Sequence, residues 1–304
     1  MAEKSSKLKI RVGPAGWSYP DWKGIVYPRH PPKGFHEATY LADYFDTIEV
    51  NVTYYRPVSS QTAGNWIKRV HHNANFMFTA KLWQEFTHHG NLTAKNEQDF
   101  LPGMEVLHHA GRLGALLAQF PMKFHNTPEN RTYLQKLTDR FRDFPFVVEF
   151  RHGSWDKPEV YSLLTERNVG FCNIDQPLIG HALKPGAQAT SRVGYIRLHG
   201  RNYDAWFPEK GEGKESRAER YNYLYTLQEL ELWLELVRNL DAPAIYIILN
   251  NHPFAKSLVN AFQILHALTG EKLNIPELLL PRYPELESIS SSDCVVPKLF
   301  PRKD

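Results

Sequence analysis

Carboxylate, guanidinium and imidazole side chains recur two residues apart in this sequence. "VEFRHG" supplies Glu149 and Arg151, and "YIRLHGRN" supplies Arg197, His199 and Arg201. On a β-strand, side chains two residues apart lie on the same face. A carboxylate or an imidazole can move protons, and the planar guanidinium of arginine suits phosphate or carboxylate. The spacing therefore predicts proton transfer on a substrate that carries an anionic group.

The same pattern occurs where other apolar runs end, and it defines one set of candidates. The candidate catalytic residues are Glu149, Asp175 and His199. The candidate substrate-binding residues are Glu49, Asn51, Lys81, Gln119, Arg151, Asn173, Arg197, Arg201, Asn250, Trp17 and Tyr19. Charged groups in a protein interior are costly unless they are paired or functional, so the set favours a binding site. Structural ion pairs that fill the top of the fold are the alternative.

Eight apolar runs must position these side chains, and longer amphipathic stretches separate them. The runs cover residues 9–16, 47–51, 76–81, 113–120, 146–151, 170–175, 194–200 and 244–251. Continuous apolar runs are typical of parallel strands covered on both faces. Eight of them alternating with helices predict an α/β protein with a single (β/α)8 TIM barrel, and an open doubly wound sheet is the alternative. In such a barrel the polar run ends meet at the C-terminal mouth, where TIM-barrel enzymes carry their active sites.

Three segments are expected to depart from this regular alternation. The sixth connection, "QPLIGHALKPGAQATS", contains two prolines and should be mostly loop. The long charged segment at 203–220 is expected to act as a lid. We expect the barrel to span residues 1–274, followed by an irregular Pro- and Ser-rich extension at 275–304.

Composition bounds the classes of function. The 304 residues are 42% hydrophobic and 23% charged, with a net charge of +3, which is too weak to favour nucleic acid as a partner. The two cysteines, the absence of a signal-like N-terminus and the absence of a membrane-length apolar run predict a cytoplasmic protein without membrane association. No P-loop, GxGxxG or GxSxG motif supports a nucleotide-binding or serine-hydrolase function.

Several motifs together resemble a known family. They include "GPAGWSYPDWKGIVYP", "FDTIEVNVTYYRPVSSQT", "VEFRHGSW", "YIRLHGRN" and "LNNHPFAKSLVNAFQI", in that order. These resemble the YecE-like family, the domain of unknown function 72. The resemblance implies a TIM barrel but names no reaction.

The resemblance also raises the question of a metal, because the fold has been likened to sugar isomerases and endonuclease IV. In the sugar isomerase pattern, Glu, Asp, His and Glu on late strands hold a divalent metal. This chain offers Glu149, Asp175 and His199, but Asn250 replaces the last Glu and arginines stand beside the others. The sequence therefore requires no metal or other cofactor; a bound divalent metal would use those three residues.

The sequence thus predicts an enzyme that acts on a phosphorylated or otherwise anionic small molecule, in an isomerase-like or phosphodiester-hydrolysing reaction. A nucleic-acid-binding barrel resembling endonuclease IV and a small-molecule binding protein without turnover are the alternatives. Oligomeric state does not follow from the sequence.

Overall fold

Eight parallel strands form the centre of the molecule in a computed structural model, which describes residues 8–206 and 218–291. They are β1 (Lys9–Pro14), β2 (Thr47–Val50), β3 (Met77–Lys81), β4 (Leu113–Gln119), β5 (Phe146–Glu149), β6 (Gly170–Asp175), β7 (Val193–Leu198) and β8 (Ala244–Leu249). Each strand falls within or overlaps one of the eight apolar runs. Nearly all their residues are buried, as expected for strands packed on both faces.

The strand order closes the sheet on itself. β1 pairs with β8, and the order continues from β8 down to β2. A parallel bridge between Ala15 and Glu49 then joins the end of β1 to β2, and the Gly16 amide donates to the Glu49 carbonyl at 2.8 Å. The (β/α)8 barrel is therefore confirmed, and the open sheet is wrong.

Helices connect most of the strands on the outside of the barrel. In the described part of the chain they are α1 (Glu37–Leu41), α2 (Val52–Tyr55), α3 (Ser60–Arg69), α4 (Gln84–Thr87), α5 (Ala94–His109), α6 (Pro128–Arg140), α7 (Pro158–Glu166), α8 (Leu227–Arg238) and α9 (Lys256–Thr269). Several begin at a threonine whose hydroxyl accepts a backbone N–H of the first turn, as Thr226 does for α8.

The sixth connection is irregular, as predicted. Residues 176–192 contain no helix or strand. β5 and β6 pair only through Val147–Gly170 and Val148–Phe171, so the ladder between them stops before Glu149. Beyond that point the Leu183 amide donates to the Arg151 carbonyl at 2.8 Å, which fastens the connection against the end of β5.

The chain after α9 packs back on the barrel as far as it is described. Residues Pro284–Ile289 form a short 3-10 helix, Leu279 and Leu286 are fully buried, and Tyr283 donates its hydroxyl to the Phe254 carbonyl at 2.6 Å. A domain boundary at residue 274 stays a prediction. Residues 292–304 of the extension and 207–217 of the predicted lid lie outside the described residues.

Within residues 8–206 and 218–291, no helix has the length and apolar character needed to cross a bilayer.

Candidate functional site

Arg197 of β7 is the centre of a buried charged cluster inside the barrel. Its Nη2 lies 2.8 Å from Oε1 of Glu49, and its Nη1 lies 2.5 Å from Oε2 of Glu149. Nη1 also donates to the side-chain oxygen of Gln119 at 3.1 Å. All atoms of the Arg197 side chain are inaccessible to solvent. One guanidinium therefore joins side chains from β2, β4 and β5, and it cannot itself reach a ligand in solution.

Glu149 ends β5 and faces three partners. Besides Arg197, its Oε1 lies 2.7 Å from Nε of Arg151 and 3.3 Å from Nε2 of His199. Burial raises the pKa of Glu149, but the guanidinium groups of Arg151 and Arg197 outweigh burial and hold that pKa well below its usual range. Glu149 is therefore ionised at neutral pH.

His199 is neutral in this arrangement. Its pKa is lowered well below the usual value by burial and by the charge of Arg151, against the opposing effect of Glu149. The amide nitrogen of Asn250 lies 2.9 Å from Nδ1 and donates to it, so Nε2 carries the hydrogen. Nε2 lies 3.3 Å from Oε1 of Glu149 and 3.5 Å from Nη1 of Arg197. Asn250 thereby sets the tautomer of the imidazole.

Lys81 and Arg151 form the solvent end of the cluster, with side chains 12% and 10% exposed. The Lys81 Nζ is 3.7 Å from Oε1 of Glu49, which is a long ion pair, and 5.8 Å from the ring centre of Tyr54. Burial and the charge of Arg197 lower the pKa of Lys81 to about 8, although Glu49 opposes them. Arg151 also donates from Nη1 to Gln176 at 3.1 Å.

The charges in the cluster do not cancel. Lys81, Arg151 and Arg197 are three cations, and Glu49 and Glu149 are two carboxylates. With His199 neutral, one positive charge is left over whenever Lys81 is protonated. The two cations that reach solvent can therefore take up an anion.

Tyr195 and Thr79 also belong to the cluster, and the sequence pattern did not predict them. Tyr195 donates its hydroxyl to Oε2 of Glu49 at 2.9 Å, with Oγ1 of Thr79 at 2.8 Å. Tyr195 precedes Arg197 by two residues and so shares its face of β7, which was the available signal.

Asp175 is not brought together with Glu149 and His199. The Nε of Arg201 donates a hydrogen bond to the Asp175 carboxylate, at 3.0 Å from Oδ1 and 2.9 Å from Oδ2. Arg201 also donates from Nη1 to Glu229 of α8 at 3.0 Å. Burial raises the pKa of Asp175 despite the neighbouring Arg201. These two residues form a second cluster between the barrel and α8.

The three residues proposed to hold a metal if one binds therefore do not converge. Among residues 8–206 and 218–291, no group of three or more His, Cys, Asp or Glu side chains is arranged to hold a metal ion.

Asn173, like Asp175, lies outside the charged cluster around Arg197. Its amide nitrogen donates to the Gln188 carbonyl at 2.9 Å, and its oxygen accepts the Gln188 N–H at 2.8 Å. It fastens the irregular sixth connection to β6. The residue between Asn173 and Phe171, Cys172, has its Sγ 3.9 Å from Glu149, so the opposite face of β6 faces the charged cluster.

Trp17, Tyr19 and Asn51 line a cleft of about 230 Å³ beside the mouth. Tyr19 stacks on His252 with ring centres 4.3 Å apart, and its hydroxyl donates to the Ala15 carbonyl. The side-chain oxygen of Asn51 is buried without a hydrogen-bond partner in the described structure. The cleft thus offers mainly aromatic surface.

Comparison with known proteins places this geometry in a family. The family model described as "Protein of unknown function DUF72" matches residues 11–284. The UPF0759 protein YunF of Bacillus subtilis (strain 168) is 28% identical over 282 residues, covering 86% of this chain and 95% of that protein.

Solved structures agree with this match. A DUF72 family protein from Thermotoga maritima is 31% identical, with a TM-score of 0.72, covering 86% of this chain and 99% of that one. Another, from Enterococcus faecalis V583, is 25% identical, with a TM-score of 0.72, covering 85% of this chain and 95% of that one. The family match extends over most of the sequence and includes most of β1 and all of β2 to β8, so this chain belongs to the DUF72 family.

Proposed function

We propose that the protein is an enzyme whose barrel mouth binds a phosphorylated or otherwise anionic small molecule. Lys81 and Arg151 would meet the anionic group, and Glu149 with His199 would transfer protons. The observation that carries the proposal is the surplus positive charge of the buried cluster, whose two accessible cations lie at its solvent end. An isomerase-like reaction and phosphodiester hydrolysis both fit these groups.

The cluster also supplies a way to couple binding to proton transfer. In the structure Arg151 is held by Glu149, at 2.7 Å, and by Gln176. An anion that draws the guanidinium toward itself weakens the contact with Glu149. The pKa of Glu149 then rises toward its usual value, because one of the two cations that depress it has moved away. Glu149 becomes a better base when the substrate is bound.

The other candidate site residues would have supporting roles in this function. Arg197 holds the two carboxylates in place from a fully buried position, and Arg201 with Asp175 belongs to the second cluster. Trp17, Tyr19 and Asn51 would contact the remainder of the substrate from the neighbouring cleft. A reducing cytoplasmic location belongs to the same proposal, and the buried free thiol of Cys172 is compatible with it.

Titration calorimetry with inorganic phosphate, followed by a thermal-shift screen of phosphorylated metabolites, tests the anion site. A hydrogen bond to a charged group contributes about 1.5–3 kcal/mol, so Arg151→Gln should weaken phosphate binding by roughly 10- to 100-fold. Arg238→Gln is the matched control, because Arg238 lies on the surface of α8 and pairs only with the exposed Glu231 among the described residues. Equal phosphate affinity in the wild type and Arg151→Gln would refute the proposal.

Turnover needs a separate measurement. A ligand found in the screen is incubated with the wild type and with Glu149→Gln, and product formation is followed. Binding without conversion in the wild type would indicate a binding protein rather than an enzyme. A gel-shift titration against salt covers the nucleic-acid alternative, since binding through many phosphates falls steeply with salt.

A further inference from the structure

We propose that Lys81 is a nucleophilic amine that forms an imine with a carbonyl group of the substrate. The inference rests on the proposed anion site and narrows its substrate to an aldehyde or ketone that carries a carboxylate or phosphate. Arg151 would hold the anionic group while the carbonyl carbon meets Nζ of Lys81.

The position of Lys81 suits this role. It ends β3 at the mouth of the barrel, and its side chain is 12% exposed, so the residue is not sealed from solvent. Nζ makes no hydrogen bond to any described residue, and its ion pair with Glu49 is 3.7 Å long. That Glu49 carboxylate is already engaged by Arg197 at 2.8 Å and by Tyr195 at 2.9 Å. The amine is therefore held near Glu49 by a long ion pair, and no hydrogen bond to a described residue occupies it.

The surroundings of Lys81 increase the fraction of the neutral amine, which is the reactive form. A lysine becomes nucleophilic when it is desolvated or lies next to another cation, and Lys81 meets both conditions through its burial and Arg197. With its pKa near 8, a substantial fraction of Lys81 is neutral at pH 7.5. An ordinary surface lysine, whose pKa is about 10.4, is almost entirely charged at that pH.

The chemistry balances without any further reactant. The lone pair of Nζ forms a bond to the carbonyl carbon, and the carbonyl oxygen leaves as one water with the two amine protons. The imine nitrogen then takes one proton from solvent and becomes a positively charged iminium. Glu49 and the anionic group of the substrate both stabilise that charge. An anionic carbonyl compound is therefore a better match than a neutral one.

The test traps the iminium in the wild-type protein. The protein is incubated at pH 7.5 with glyoxylate, an aldehyde with an adjacent carboxylate, and sodium cyanoborohydride, which reduces the iminium to a stable amine. Peptide mass spectrometry then measures the modified fraction of each lysine. We expect Lys81 to be modified at least about tenfold faster than the exposed Lys95, because the lowering of the pKa of Lys81 to about 8 increases the fraction of its neutral amine. Glycolaldehyde, which lacks the carboxylate, should modify Lys81 more slowly than glyoxylate does.

Two variants separate the amine from its charge. Lys81→Arg keeps the positive charge and loses the nucleophile, so it should still bind phosphate but give no trapped adduct at position 81. Lys95→Arg should leave the modification of Lys81 unchanged. Modification of Lys81 no faster than that of Lys95 would refute the inference, in measurements on the wild type that do not depend on any variant folding.

Failure of this inference is distinguishable from failure of the proposed function. Phosphate binding without selective trapping of Lys81 would support the anion site and refute the imine. Selective trapping without phosphate binding, and without a preference for glyoxylate over glycolaldehyde, would remove the anionic substrate from both proposals.

Discussion

Removal of the buried cation Arg197 should destabilise the protein strongly. In Arg197→Met the long apolar side chain fills part of the vacated volume, but Glu49 and Glu149 lose contacts of 2.8 and 2.5 Å. Both carboxylates are completely inaccessible to solvent, so water cannot replace the guanidinium. Breaking a buried ion pair by removing one partner costs about 3–5 kcal/mol. We expect the free energy of unfolding to fall by about that amount at pH 7.5.

Urea unfolding at several pH values measures this effect and checks its cause. In the wild type, Glu149 has a depressed pKa, so its contribution to stability is present at neutral pH and is lost as the pH falls through that pKa. In Arg197→Met, a buried carboxylate without this cation has a raised pKa, and protonation relieves the destabilisation. The difference between the two proteins should therefore be largest at neutral pH and shrink toward pH 4.

Arg238→Met is the matched control, because it removes the exposed ion pair with Glu231, whose atoms are 3.0 Å apart. Pairs of that kind contribute about 0–1 kcal/mol. A loss of less than about 1 kcal/mol for Arg197→Met at pH 7.5, or a loss that does not depend on pH, would refute the electrostatic reasoning.

Four further outcomes follow from the site and its rim. The imidazole of His199 should remain neutral at pH 5.5 in an NMR titration, because its pKa is depressed; ordinary titration near pH 6.5 would contradict this. Unfolding assays should accordingly show stability falling below about pH 6.5, by up to about 1.4 kcal/mol per pH unit for this residue, since only the unfolded chain takes up the proton. Asn250→Asp should raise the pKa of His199 by placing a carboxylate beside Nδ1, and an unchanged NMR titration would count against the contact between residue 250 and Nδ1. Gly16→Ala should lower the free energy of unfolding by about 1 kcal/mol more than Gly34→Ala does. Both glycines have positive φ, but only at Gly16 would an added Cβ lie 2.7 Å from the Tyr19 hydroxyl. Equal losses in the two variants would show that this contact is unimportant.

The barrel was predictable because its signal is repeated. Eight continuous apolar runs fit strands covered on both faces, and the stretches between them are long enough for crossover connections. The prolines at 177 and 185 likewise indicated the irregular sixth connection. These features follow from local sequence and need no knowledge of which side chains meet.

The composition of the site was predictable only in part. The alternation rule puts Asn173 and Asp175 on one face of β6, but it does not say which face. A strand that is buried on both sides has no polar stripe to settle the question. In the structure Cys172 faces the charged cluster, and Asp175 faces Arg201 and α8.

A single turn explains the position of Arg201. Alternation from Arg197 through His199 would put it in the mouth if the strand continued. Instead β7 ends at Leu198, and Gly200 has a φ of 91°, which redirects the chain. A Cβ at Gly200 would lie 2.8 Å from the Cβ of Tyr223, so the turn requires glycine. This change of direction depends on a tertiary contact that the sequence pattern does not reveal.

The bridge made by Arg197 has a consequence for how the barrel can be divided. Glu49 belongs to an early strand, Glu149 to a middle strand and Arg197 to a late one. A fragment that stopped before β7 would enclose two negative groups without their shared counter-charge. A fragment that started after β2 would keep the arginine but lose one of the acceptors that satisfy it. Each fragment would therefore contain buried charged groups without their ion-pair partners. We expect this barrel to fold as one unit and not from separable halves.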